Sequence, residues 1–111
     1  MSKDWVKDIN EMQYKYGVHK WIHDNRDNKE NLRRYLEFRI DFLQEELSET
    51  EAALVGMDAE EIVDGLIDLC VVAIGTLDAF GVDAHKAWDE ILKANLAKEP
   101  GVKPEIGRAH V

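Results

Sequence analysis

"VDGLIDLCVVAIGTL", residues 63–77, is the stretch on which the fold turns. From Leu66 to Ile74 almost every side chain is apolar, yet Asp68 sits in the middle and Asp64 lies one turn before it. A helix that is apolar nearly all round must be covered on every side. The run is too short to span a bilayer, which takes about 20 apolar residues. Its borders are legible. Gly56 breaks whatever precedes it, Asp58 is a natural N-cap with Glu61 completing a capping box, and "FGVD" closes the segment near Phe80.

Working outward, Leu32, Leu36, Ile40, Leu43 and Leu47 form the inward stripe of a helix over about 29–54. The central helix covers about 58–80. Asp83 starts a third over about 83–98, with Ala84, Trp88, Ile91 and Leu92 as its apolar side and Trp88 in the core. Trp5, Ile9, Met12 and Tyr16 keep helical spacing up to Gly17, whereas "VHKWIHDNRDN" has no clean period and reads as a loop or short turn. Both prolines, Pro100 and Pro104, fall in the tail, so 99–111 is expected to be extended. The expectation is one all-α domain over 1–111, an antiparallel bundle. Two long neighbours cannot cover the central helix alone, so a homodimer or homotetramer is expected, with Val71, Val72 and Ile74 near the subunit contact.

Composition narrows the partners. Among 111 residues the formal net charge is -9, which disfavours a nucleic-acid groove or an anionic membrane surface, because both call for a basic face. The single cysteine, Cys70, cannot form an internal disulfide and reads as a small core residue of a cytoplasmic protein. "MSKDWVKDIN" has no apolar leader.

The two aspartates find company on the preceding helix. Glu61, Asp64 and Asp68 are spaced i, i+3 and i+7 and share a face, while "QEELSE" places Glu45, Glu46 and Glu49 within one turn of each other. Glu46/Glu49 lie about two turns before Gly56 and Asp64/Asp68 about two turns after it, so a hairpin brings them to similar heights. Bare, such carboxylates repel, and burial costs several kcal/mol each unless they are protonated or paired. No basic residue occurs between Arg39 and His85. A structural salt bridge from Arg39 or Lys98 is the competing reading of Asp68. A divalent cation, Mg²⁺ or Mn²⁺, is favoured over it, since both ions take carboxylate oxygens and keep positions for water and phosphate. His19 and His23 lack a third ligand for zinc.

"EELSE", a short linker and an acidic pair on the next helix resemble the all-α NTP pyrophosphatases, the MazG-like group, whose motif is E-E-x-x-E followed by E-x-x-D. Glu61 and Asp64 satisfy the second half literally. The stretch "DLCVVAIGTLDAFGVDAHKAWDEILKANLAK" instead resembles the one in which the family's Asp opens the apolar run, which selects Asp68, with Gly65 where the motif has Glu. We favour Asp64 and Asp68, with Glu61 as an outer ligand. The likeness spans about 30–98. It implies a Mg²⁺-dependent hydrolase that splits a nucleoside triphosphate between the α and β phosphates, with Glu46, Glu49, Asp64 and Asp68 as metal ligands. Glu45 or Glu46 would orient the attacking water. It further implies that Asn95 and Lys98 contact substrate, with Lys103 and Arg108 as additional candidates. For the base, Trp21, Phe42 and Tyr16 are stacking candidates with His19 as a polar contact; phosphoribosyl-ATP is the alternative substrate, and a non-catalytic acidic dimerisation module the alternative function.

Overall fold

Every helix longer than two turns begins on a short acid or amide. The computed structural model describes residues 3–100, and beyond them only the backbone of Val102–Lys103 and Arg108–Ala109. Its helices are α1 (Trp5–Lys15), α2 (Val18–Asp24), α3 (Lys29–Val55), α4 (Ala59–Ala79) and α5 (Ala84–Leu96). Asp4, Asn28, Asp58 and Asp83 each accept a hydrogen bond from the backbone N–H three residues on, at 2.9–3.2 Å. Each satisfies a donor that the first turn leaves without a partner inside the helix.

The α3–α4 connection is the tightest of the turns. Asp58 N–H donates to Ala53 carbonyl and Met57 N–H to Leu54 carbonyl, with Met57 in the left-handed region at φ 53°. This closes α3 in a Schellman-type turn, and Asp58 then caps α4 without a spare residue. The two long helices are therefore antiparallel neighbours and make the main contact of the fold.

A glycine sets how closely they approach. Gly65 is buried against α3, and a Cβ placed there would overlap Thr50 Oγ1 and stand 3.2 Å from Thr50 Cβ. Thr50 Oγ1 is itself held, donating to Glu46 carbonyl at 2.8 Å. Gly75 does the same further along α4: a Cβ would lie 2.9 Å from Arg39 Nη2 and 3.3 Å from Gln13 Oε1.

Several expectations are corrected. Residues 18–24 are helical rather than loop; Gly17, at φ 73°, turns the chain so that α2 restarts at once after α1. Within the tail, Val102–Lys103 pairs with Arg108–Ala109 in an antiparallel ladder. Cys70 is exposed, and Trp88 is 58% exposed rather than core. Val72, expected at a subunit contact, is 4% exposed inside this chain, because it sits on the side of α4 that meets α3. The α3 stripe is only partly inward: Leu36, Ile40 and Leu47 are each more than 40% exposed.

Buried apolar side chains are few, with Ile9, Val72 and Ala79 making up the core among the described residues. The chain exposes 8887 Å² for 12.7 kDa, whereas a folded monomer of that mass exposes about 6,200 Å².

Gly65→Ala is expected to destabilise the protein by about 1–3 kcal/mol in urea unfolding, because the overpacking outweighs the better helix propensity of alanine. Thr50→Ala in the same chain should recover most of that loss. Equal losses with and without the Thr50 change would show that this contact does not set the helix spacing.

Candidate active site

The carboxylates of α3 and α4 act on one another across the hairpin. Glu46 is half-buried between the helices, and its carboxyl is held above the usual range, first by burial and then by the negative charges of Glu49, Asp68, Glu45 and Asp64. Two of those charges, Asp68 and Asp64, come from the opposite helix. Asp68 is half-buried, whereas Glu45, Glu49, Glu61 and Asp64 are exposed along the rim. Among the described residues no ion pair reaches any of these six acids.

Arg39, the competing partner for Asp68, is committed elsewhere. Its Nε donates to Thr76 Oγ1 at 2.9 Å and its Nη2 to Val72 carbonyl at 3.0 Å. The guanidinium also lies 5.8 Å over the Phe42 ring. Gly75 leaves the space that lets it reach the α4 backbone.

As placed, no three acid, histidine or cysteine side chains among the described residues are grouped closely enough to hold one ion. The groove concentrates charge without closing on it. The donor set is nevertheless of the right kind: all oxygen, without an ion pair among the described residues, and with one carboxyl already driven towards protonation by burial and by its neighbours. Hard divalent ions suit such a set.

On α3 the same face continues away from the turn as aromatics. Tyr35, Phe38, Phe42, Glu45/Glu46 and Glu49 succeed one another at i+3 and i+4 spacing. Phe38 and Phe42 meet edge to face at 6.3 Å. Trp21 of α2 packs on Tyr35 at 5.4 Å, and Phe80 closes the row at 5.8 Å from Tyr35. Phe42 thus adjoins the acids, whereas Trp21 sits at the level of Tyr35, about 16 Å along α3 from Glu46 at 1.5 Å per residue. Tyr16 is exposed with Lys15 Nζ 5.6 Å from its ring, apart from this row.

Asn95 and Lys98 are not brought to the acids of their own chain. The chain turns by 118° between α4 and α5. With Asp68 and Asn95 each about three turns from that corner, they stand on the order of 18 Å apart. The side chains of Lys103 and Arg108 lie outside the described residues.

One polar cluster escaped the sequence reading. Gln13, buried on α1, donates to Gly75 carbonyl at 2.8 Å, and Asn10 donates to Asp78 Oδ1 at 2.7 Å. His19 Nε2 stands 2.8 Å from Asp78 Oδ2. His19 therefore faces Asp78 rather than the acid groove, and it stacks 3.9 Å from Tyr14. The available signal was a glutamine on the apolar side of α1, four residues after Ile9. These bonds fix α1 and α2 on the C-terminal half of α4 and leave the Asp64–Asp68 half open.

The raised Glu46 carboxyl has a pH consequence. A folded-state value above the unfolded one means that the folded chain binds the proton more tightly. Metal-free protein should then lose this contribution to stability as pH rises from the ordinary glutamate range through the raised value. Asp68→Asn should bring the Glu46 titration, followed by carboxyl ¹³C NMR, back towards the ordinary value. An unchanged Glu46 curve would show that the two side chains do not face each other.

Among the described residues no single helix is long and apolar enough to cross a membrane. Comparison with curated proteins and with solved structures gave no match. The family model of phosphoribosyl-ATP pyrophosphohydrolase matches residues 17–95, which takes in α2, α3, α4 and nearly all of α5 and stops before Lys98. That family lies within the MazG-like all-α superfamily and consists of hydrolases acting on the phosphoric anhydrides of nucleotides. The chain belongs to the phosphoribosyl-ATP pyrophosphohydrolase family.

Proposed function

We propose that this protein is a Mg²⁺-dependent pyrophosphohydrolase of nucleoside triphosphates, releasing pyrophosphate and a nucleoside monophosphate from ribo- or deoxyribonucleotides. The observation that carries the reading is the charge balance at Glu46: five carboxylates from two helices influence one another, and among the described residues no ion pair reaches them. A triphosphate entering such a groove needs counter-charge, and Glu46, Glu49, Asp64 and Asp68 are the residues that would hold it, with Glu61 at the edge. Mg²⁺, or Mn²⁺ in its place, supplies neutralisation of the phosphates and polarisation of the α-phosphorus when bound.

The chain's own contribution is position. The Schellman turn and the Gly65–Thr50 contact fix α3 and α4 side by side, and the acid side chains would close on the ion as it binds. Glu45 and Glu46, next to each other at the groove, orient the attacking water and accept its proton. Phe42, one turn before them, offers a flat apolar surface at the distance a base would lie from its phosphates, whereas Trp21 is too far along α3 to serve the same nucleotide directly. A contribution from Asn95 or Lys98 requires a neighbouring copy, and the chain is proposed to work as a homo-oligomer.

A second reading of the substrate comes from the family match. Phosphoribosyl-ATP carries the same triphosphate on a bulkier base, and the same acids would serve it. Pyrophosphate release measured across ribonucleotides, deoxyribonucleotides and phosphoribosyl-ATP separates the two readings. Activity should require Mg²⁺ or Mn²⁺ and vanish with EDTA. Glu49→Gln and Asp68→Asn should each lower kcat on the order of 100-fold or more while the oligomer stays folded. Near wild-type turnover in both variants would refute the site.

A further inference from the structure

Arg39 carries a charge that its hydrogen bonds do not explain. Its side chain is half-buried, and among the described residues it makes no ion pair with a carboxylate. Both of its hydrogen bonds go to neutral acceptors on α4, Nε to Thr76 Oγ1 and Nη2 to Val72 carbonyl. Anchorage of that kind needs no charge: beside it, the uncharged amide of Gln13 donates to Gly75 carbonyl at 2.8 Å. Taking a guanidinium partly out of water without a counter-ion is costly. Gly75, where a Cβ would stand 2.9 Å from Nη2, gives up helix propensity to admit it. What a guanidinium has and an amide lacks is a delocalised positive plane that pairs with an aromatic face. That plane lies over Phe42, with Cζ 5.8 Å from the ring centroid.

The anchor fixes the plane. Thr76 Oγ1 donates its own proton to Val72 carbonyl at 2.7 Å, so the oxygen that accepts from Nε is already oriented. Two bonds from one planar group to two fixed acceptors leave it a single orientation. Phe42 follows Arg39 at i+3 on the same face of α3, is half-buried, and meets Phe38 edge to face at 6.3 Å. A fixed cation and a second ring thus brace it, one turn before Glu46. We propose that Arg39 is a positioning residue for the nucleobase: tied to α4, it holds the Phe42 ring at one angle, and the base stacks on a surface that is ordered beforehand. The inference rests on the reading of Phe42 as the surface for the base and adds the residue that makes that surface rigid. Ordering the ring in the free protein removes a cost that binding would otherwise carry. It also divides the substrate in two: the base end depends on Arg39, and the phosphates on the acids.

Binding separates this role from simple fastening of the helices. Calorimetry with Mn²⁺ present compares a non-hydrolysable nucleoside triphosphate with inorganic tripolyphosphate, which offers phosphates without a base. Arg39→Gln should weaken the nucleotide about 5- to 10-fold and leave tripolyphosphate unchanged. In turnover the same variant should raise KM by a like factor and leave kcat close to that of the native protein. Arg39→Lys keeps the charge without the fork and should restore little of the loss; full recovery would show that charge suffices without the anchor, against the proposal. In a Phe42→Leu background, Arg39→Gln should have no further effect on the nucleotide, because its influence passes through the ring. Equal losses for the two ligands, or an undiminished loss without the ring, would overturn the proposal. The native chain gives a readout that needs no Arg39 variant to fold. Its Arg39 Nε–H signal in ¹H–¹⁵N NMR should exchange slowly and be displaced by the ring current of Phe42, and an averaged, solvent-like signal would overturn the proposal. Native protein that binds tripolyphosphate as tightly as the nucleotide would overturn it together with the role of Phe42, whereas binding of neither ligand would refute the groove itself. Pyrophosphate release is read separately and decides the catalytic reading.

Discussion

The contact between Gly65 and Thr50 governs this structure. It brings α3 and α4 closer than any side chain at position 65 would permit, at the height where the acids lie. Bare backbone against a threonine turns two separately solvated acidic stripes into one groove with a shared electrostatic field. Glycine inside a helix costs about 1 kcal/mol relative to alanine, and here that cost is offset by the approach it allows. Gly75 repeats the device two to three turns on, where it admits Arg39 and Gln13 to the α4 backbone.

Because the two helices meet so closely, the hairpin has two unlike sides. One carries aromatics that give way to acids as α3 nears the turn, an arrangement suited to a molecule with a flat apolar end and a highly charged one. The other carries exposed aliphatic residues such as Leu36, Ile40, Val63 and Leu66. The polar bonds of Asn10 and Gln13 hold α1 against the far half of α4, and those of Arg39 fasten α3 to it. Each of them satisfies a donor that burial would otherwise leave costly. The fold in one chain is thus fastened by a few polar anchors and a thin core, and many of its large apolar side chains stay exposed.

Much of this was legible in the sequence, for reasons that can be named. Asp58 and Asp83 announce helix starts because a short carboxylate before an apolar-periodic run has a donor to satisfy. The facing of Glu46 and Asp68 followed from counting turns on either side of Gly56. The rest depended on what a single sequence does not display. Seven residues of α2 are too few to establish a period. Cys70 and Trp88 read as core because an apolar residue on a helix carries no mark of whether its own chain covers it. Gln13 gave a signal, a polar residue on an apolar side, but its partner is a backbone carbonyl 62 residues away, and that pairing exists only once Gly75 lets the helices touch. The placement of Asn95 far from the acids depended on the angle at "FGVD", which sequence spacing does not encode.

The central claim is that the carboxylates of α3 and α4 converge to hold divalent cations. Calorimetric titration of metal-free protein with Mn²⁺ and with Mg²⁺, with and without a non-hydrolysable nucleotide, tests it most directly. Saturable uptake that strengthens when nucleotide is present is the result this account requires. No heat of binding for either ion under either condition would contradict it.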